Sequence, residues 1–461
     1  MRRIFFLCVL GTFLVPTSGS SFDHEDTHRE LTSRGILSSS VDAYLKANLN
    51  LPQGILTEMG DNSVGKLPHE PPSNLGNWLR EGSYLEDELH PCRAINHFHN
   101  PRRDWTESGM RDQPWFVDAR CTATEYPPWS TRSAIPWATD YTEPSPNGAR
   151  EETTNQWNWD RAREYFNIYL TGKNYANQGV AITESARDSY LASSFQALGQ
   201  VLHLLQDMAV PAHVRDDFRS HLEVNGITPS TIAEGNVWIE RFEYFVMKKP
   251  GIISGDPVRP NLQNPSLTSF WDTNQYTGQD PEVLNSRTLG LAEYANINFP
   301  SKNTIFTEDY LADSDPANDV YYHPYPRKSS TNINDFLAMS LLPVMVTAED
   351  GISDSRFYIT KSGDGEVIEH FLGAGFFARH VLAVPNYNPR ILSMTLERDD
   401  ECLRNHAEKL LPRAVGYSAA LLNYFFRGKI EITETRFGYN PTTRTMDTLT
   451  LRAWNVTENA E

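Results

Sequence analysis

"ARDSYLASSFQALGQVLHLLQDMAVPAH", Ala186 to His213, is the stretch that decides the fold. Its apolar residues recur with helical spacing, and Pro211 ends the run, so one long helix is predicted. His203 and Asp207 stand in its last apolar turns. Residues i and i+4 lie on one helical face, so both side chains point the same way, on a face apolar enough to be partly buried. A buried carboxylate needs a cation or strong donors. Pro211 turns the chain, and His213 swings back toward the same point. Two imidazoles and a carboxylate at a helix end suit zinc, with the carboxylate able to bridge two ions. A capped helix with a satisfied core histidine is the commoner explanation of H-x-x-x-D alone; the second histidine brings a metal level with it.

The chain has 461 residues, 39% hydrophobic and 22% charged, the profile of a globular protein. Its net charge of −18 argues against non-specific nucleic-acid binding and against attraction to anionic membranes. The N-terminus pairs Arg2 and Arg3 with an apolar run from Ile4 to Val15, then small residues in "PTSGSS". That is a secretory signal peptide over 1–21, cut between Ser18 and Phe22, and the mature protein is expected to be secreted or periplasmic. Of the four cysteines Cys8 leaves with the signal. A Cys92–Cys121 disulfide and three buried thiols are both open.

The expected fold class is mainly α, a multi-helix domain over 22–428 with long loop insertions at about 100–155 and 250–330. Helical patterns lie over "THRELTSRGILSSSVDAYLKANL", "NQWNWDRAREYFNIYLTG", "GNVWIERFEYFVMKK" and "ECLRNHAEKLLPRAVGYSAALLNYFFRG". "INDFLAMSLLPVMVTAEDG" and "EHFLGAGFFARHVLAV" are apolar and are also expected to be helical. The Trp- and Pro-rich 100–155 stretch is expected to stay out of the core. Residues 429–461 change texture: "KIEITETRF" and "TMDTLTLRAWNVTENA" alternate apolar and polar residues, a β-strand extension or an incomplete β-domain. Two strands alone are not a stable sheet.

Further candidate ligands flank the long helix. Glu86, Asp87, His90, His97 and His99 fall within 14 residues of one another. His28 lies near the expected mature N-terminus, and Glu243 sits in "IERFEYF". These blocks resemble the zinc-dependent phospholipase C and single-strand-specific nuclease superfamily. "LGQVLHLLQDMAVPAH" matches its L-G-x-x-x-H-x-x-x-D-x-x-x-P-x-H pattern without a gap, and "THRELTSRG", "GSYLED", "NHFHNP" and "FEYFV" match in order around it. "HAEKLLPRAVGYSAALLNYFF" is similar to the family's closing helix. The resemblance covers about half of the chain.

The resemblance implies a helical domain around three zinc ions. Asp87, His97, His203 and Asp207 would hold one, and Asp207 would bridge to a second, completed by His28 and the mature N-terminus, for which Phe22 is the nearest aromatic. The third would take His213 and Glu243. The family's further histidine, four residues before that glutamate, is replaced by Ile239. His221 is the candidate substitute, with Glu240 behind it. Asp87 is also the candidate catalytic base, since its family counterpart sits beside the attacking water.

The implied activity is exported, zinc-dependent phosphodiester hydrolysis of the phospholipase C type. Phospholipid is favoured over nucleic acid, with peripheral membrane contact, because the "GSYLED", "NHFHNP" and "FEYFV" blocks are closer to the phospholipase branch and no base-stacking platform can be placed. A single-strand nuclease is the alternative within the class. A zinc-stabilised secreted module without catalysis, motivated by Ile239, is the alternative outside it. His69, His323, His370, His380 and His406 lack spaced partners and are expected to be structural. His24, His90 and His99 lie near the candidate ligands in sequence, and a structural role is favoured over one that supports the ligands. Arg215, Asp216 and Asp217 are expected on a solvated loop or a cleft edge, and the tryptophans at 105–159 in loop packing.

Overall fold

The protein is represented by a computed structural model that describes residues 27–59, 74–88, 91–105, 107–110, 132–139, 155–174, 180–218, 220, 240–249, 251–276, 285–304, 337–339, 344–347, 353–361, 366–374 and 396–457. It is mainly helical, with small antiparallel sheets toward the C-terminus. In chain order the α-helices are α1 (Thr27–Ser38), α2 (Val41–Asn48), α3 (Leu75–Glu88), α4 (Ala134–Thr139), α5 (Trp159–Thr171), α6 (Glu184–Gln206), α7 (Arg241–Met247), α8 (Leu291–Asn298) and α9 (Asp400–Phe425).

α6 is the central rod. Thr183 caps its start by accepting from Ala186 N, which satisfies one of the amides a helix start leaves open. Every residue from Leu191 to Gln206 is buried, so the helix is enclosed on all sides, as expected of one apolar all round. A 3-10 turn, Asp207–Ala209, follows before Pro211. α3 crosses α6 at very short range, where Gly82 and Gly199 face each other. A Cβ on Gly82 would overlap the Gln196 carbonyl, and one on Gly199 would overlap the Leu79 carbonyl. Only two side-chain-free positions allow this approach. α1, α5 and α9 complete the bundle around it, with Phe195, Phe242, Tyr294 and Tyr417 fully buried in the core.

Two expectations fail here. The "INDFLAMSLLPVMVTAEDG" and "EHFLGAGFFARHVLAV" stretches carry strands where they are described: β3 (Leu337–Met339), β4 (Val344–Thr347) and β6 (Ile368–Ala374). With β5 (Ser353–Lys361) and β7 (Leu396–Glu397) they form an antiparallel sheet, β3-β5-β6-β7, to which β4 adds through β5. Val344, Val346, Ile368 and Phe371 are residue types that favour a pleated surface. Ile368, Phe371 and Leu372 are buried, and the Phe371 carbonyl meets His406 Nε2 of α9 at 3.1 Å.

The Trp-rich stretch is the second correction. Ile135 and Trp137 of α4 are buried in the main core. Trp137 Nε1 donates to Glu86 Oε1 at 2.9 Å, which is why a polar-edged tryptophan can be interior there.

After two short strands, β1 (Lys173–Asn174) and β2 (Val180–Ala181), the remaining pair is β8 (Ile430–Asn440) and β9 (Thr445–Asn455), an antiparallel ribbon beyond α9. Among the described residues no helix is long and apolar enough to cross a membrane. Phe22, the expected signal segment, Cys121, His221 and Ile239 lie outside the described residues, as do His24, His69, His90, His323 and His380.

Candidate metal centre

The α3–α6 crossing fixes the site. Ser83 follows Gly82, and its carbonyl oxygen lies 2.6 Å from His203 Nδ1. A carbonyl only accepts, so Nδ1 carries the proton, and a neutral His203 turns the lone pair of Nε2 inward. That lone pair meets Asp207 Oδ2 at 3.3 Å and Asp87 Oδ2 at 3.6 Å. His28, on the first turn of α1, repeats the arrangement. Its Nδ1 lies 2.8 Å from Gln206 Oε1, and the Gln206 amide nitrogen donates to Thr32 and Ser418, which orients that oxygen as an acceptor. His28 Nε2 then faces Asp207 Oδ1 at 3.4 Å.

Two more imidazoles close on the same carboxylate. His97 Nδ1 is 2.9 Å from Asp207 Oδ2 and 3.5 Å from Asp87 Oδ1. His213 Nδ1 is 3.6 Å from Asp207 Oδ2, and its Nε2 is 3.5 Å from Glu243 Oε1. All seven side chains are buried. Lone pairs of neutral imidazoles set against carboxylate oxygens repel unless a positive charge lies between them, either protons or a metal ion. Burial opposes charge on His97, yet the hydrogen bond and charge of Asp207, aided by Glu86 and Asp87, raise its pKa to about 10. Asp207, despite its burial, is held well below the usual carboxylate range by His203 and His213, whose rings supply protons and positive charge wherever no metal ion does.

Among the described residues two groups have the donor set for a metal ion: His28, His203 and Asp207, and Asp87, His97 and His203. In each, the ligand atoms lie within 4.8 Å of one another. His213 and Glu243 stand beside them through Asp207. The structure thus brings together His28, Asp87, His97, His203, Asp207, His213 and Glu243.

Glu240 is not available as a ligand. One oxygen accepts from Phe242 N at the start of α7, and the other meets Arg398 Nη2 at 2.6 Å. Glu243 Oε2 accepts from Glu240 N at 3.0 Å, leaving Oε1 as the atom turned to His213. The run Arg215, Asp216, Asp217 is neither a solvated loop nor a cleft edge, since all three are buried. Arg215 donates to the Phe299 and Asn296 carbonyls, and burial lowers its pKa to about 9. Asp216 pairs with Arg103 at 3.1 Å, and Asp217 accepts from Ser220 Oγ at 2.5 Å. These residues pin the chain just after His213.

Sequence spacing missed the supports. Ser83 acts through its backbone, and Gln206 differs from Asp207 only in which side of the helix it faces. Glu86 is held by Arg93, Trp137 and, at 3.6 Å, His97 Nε2. Burial raises the Glu86 pKa, but the charges of Arg93 and His97 outweigh it and bring the group to about 2. His99 is tied by its backbone N to the His213 carbonyl at 3.0 Å. His406 is buried, with Phe371 as its carbonyl partner, as a structural histidine would be. No family model, no curated protein and no solved structure matches this chain.

Proposed function

We propose that the protein is an exported, zinc-dependent phosphodiester hydrolase of the phospholipase C type. The observation that carries this reading is Asp207, whose two oxygens face four buried imidazoles at 2.9–3.6 Å. Nitrogen and carboxylate donors in that proportion suit zinc more than calcium or magnesium, which prefer oxygen alone. Asp207 would bridge two ions, with His28 on one side and Asp87, His97 and His203 on the other. His213 and Glu243 would serve a third. Bound zinc would lower the pKa of a water and neutralise charge on phosphoryl oxygens. Asp87, whose oxygens lie 3.5 Å from His97 and 3.6 Å from His203, would take the proton of an attacking water. The Ser83 carbonyl and Gln206 fix ring orientation. A phospholipid is the preferred substrate, met at a membrane surface, with single-stranded nucleic acid second.

The test is the zinc content of the signal-cleaved chain, measured beside hydrolysis of a chromogenic phosphocholine ester. Two or three zinc ions per chain with chelator-sensitive turnover support the proposal. Turnover of single-stranded DNA alone moves it to the nuclease branch. The second reading, a zinc-stabilised module without catalysis, is favoured by the burial of every ligand side chain. Bound zinc with no turnover on either substrate selects it.

A further inference from the structure

The β8–β9 ribbon presents two unlike faces. Its register pairs Tyr439 with Met446, Phe437 with Leu449, Thr435 with Leu451 and Ile432 with Ala453. Paired residues share a face and neighbours alternate. The irregularities at Thr433 and Asp447 keep Ile432 and Met446 in phase with the rest. One face therefore collects Ile430, Ile432, Phe437, Tyr439, Met446, Leu449 and Leu451. The other carries Glu431, Glu434, Arg436 and Arg452, with Glu434 paired to Arg436 and, at 3.8 Å, to Arg452, and holds one exposed aromatic, Trp454, opposite Glu431.

The seven apolar side chains are 48–75% exposed. With side chains of roughly 200 Å² each, that leaves on the order of 900 Å² of apolar surface. A stable interface needs about 800 Å² per partner, whereas lone exposed patches on monomers are smaller, about 300–600 Å². A two-stranded ribbon also lacks the third strand or packed helix that independent stability requires.

We propose that the apolar face of the β8–β9 ribbon is a dimerisation surface and that its occupant is the same face of a second copy of this chain. Two such faces stacked about a two-fold axis cover each other at the ordinary sheet spacing of about 10 Å. The face carries no charged side chain, so a charged partner finds nothing to recognise there. The chain's −18 charge disfavours an anionic lipid surface as the occupant. The same charge opposes self-association at long range, so added salt strengthens the dimer by screening. The charged face stays in water, its ion pairs intact.

Sedimentation velocity of the full chain over a range of concentrations tests this. The expected result is a monomer–dimer equilibrium that tightens with salt. Phe437→Lys with Leu449→Lys weakens it at least on the order of a hundredfold, and Thr450→Lys, on the charged face, leaves it unchanged. Because the double variant also risks losing the ribbon, Thr435→Cys supplies a second measurement. Placed mid-face, it forms an oxidised cross-linked dimer, and Thr450→Cys does not. A wild-type chain that stays monomeric at all concentrations overturns the proposal, as does a dimer indifferent to the lysine pair. So does a monomer captured by phosphatidylcholine vesicles through this face, an outcome that gives the surface to lipid.

Discussion

Two histidine–aspartate clusters lie side by side in the core, and they are built for different ends. At Asp207, four imidazoles surround one carboxylate, and two of them have their Nδ1 protons committed elsewhere. At Asp272 a single histidine, His99, only two residues along from His97, meets a single carboxylate. His99 Nε2 is 2.9 Å from Asp272 Oδ2, and its Nδ1 meets Ser133 Oγ at 2.7 Å. Trp105 Nε1 and Asn274 N donate to the same carboxylate at 2.9 and 2.7 Å. Here every side-chain nitrogen and oxygen of the pair has a hydrogen-bond partner, so the network closes on itself as a strut. The Asp207 cluster has more electron pairs than protons, the composition of a cation site. Residue type alone does not separate a ligand from a strut; the placement of its protons does.

Asp207→Asn breaks the comparison most severely. It removes the charge and replaces one facing oxygen with a donor, so the bound zinc and the turnover on a phosphocholine ester are both expected to vanish. Metal content by elemental analysis checks this. Retention of full zinc stoichiometry would put Asp207 with Asp272, as a strut.

Gly199→Val attacks the geometry that assembles the first cluster and leaves the second alone. The new side chain overlaps the Leu79 carbonyl across the α3–α6 crossing. Overpacking costs about 1–3 kcal/mol where neighbours can yield, and backbone yields least, so a loss of about 3 kcal/mol in denaturant stability is expected. Zinc affinity falls with it, because Asp87 and His203 are spaced by that crossing.

The first cluster was largely legible in the sequence and the second was not. His203, Asp207 and His213 follow from helix spacing and one proline, and Gly199 stands four residues before His203 in the same block. The contacts of Asp272 span 173 residues to His99 and 167 to Trp105, and no local period announces such a pair. The sheet at 337–374 was missed because short apolar runs fit a strand or a buried helix equally well. Arg215, Asp216 and Asp217 look like surface residues in sequence, since charged side chains are seldom buried unless partnered. The partners of Arg215 and Asp216, namely Phe299, Asn296 and Arg103, are distant in the chain.

Asp272→Asn sharpens the contrast from the other side. It leaves His99 and Trp105 facing a weaker acceptor in a buried site, at a cost of about 2 kcal/mol. Zinc stoichiometry is expected to stay at the wild-type value, since the ring of His99 turns to Ser133 and Asp272 and only its backbone N touches the first cluster, at the His213 carbonyl. Thermal denaturation and metal analysis on one sample check both halves. Zinc lost in proportion to stability would join the clusters into one unit.

His406 supplies the smallest effect and a third kind of buried histidine, one with neither carboxylate nor metal. Burial, reinforced by Arg398, lowers its pKa from the ordinary 6.5 to about 3. Native His406 therefore stays neutral while the unfolded chain takes up a proton below pH 6.5. A depressed native pKa means full stability above 6.5 and progressive loss as pH falls toward 3. At pH 5.5 the loss is about 1.4 kcal/mol relative to neutral pH. His406→Gln removes that titration. Its melting temperature is expected to fall less steeply than the wild type's between pH 7 and 5, whatever its absolute value. Parallel slopes would mean that His406 is protonated in the native core, with a counter-charge close enough to hold it.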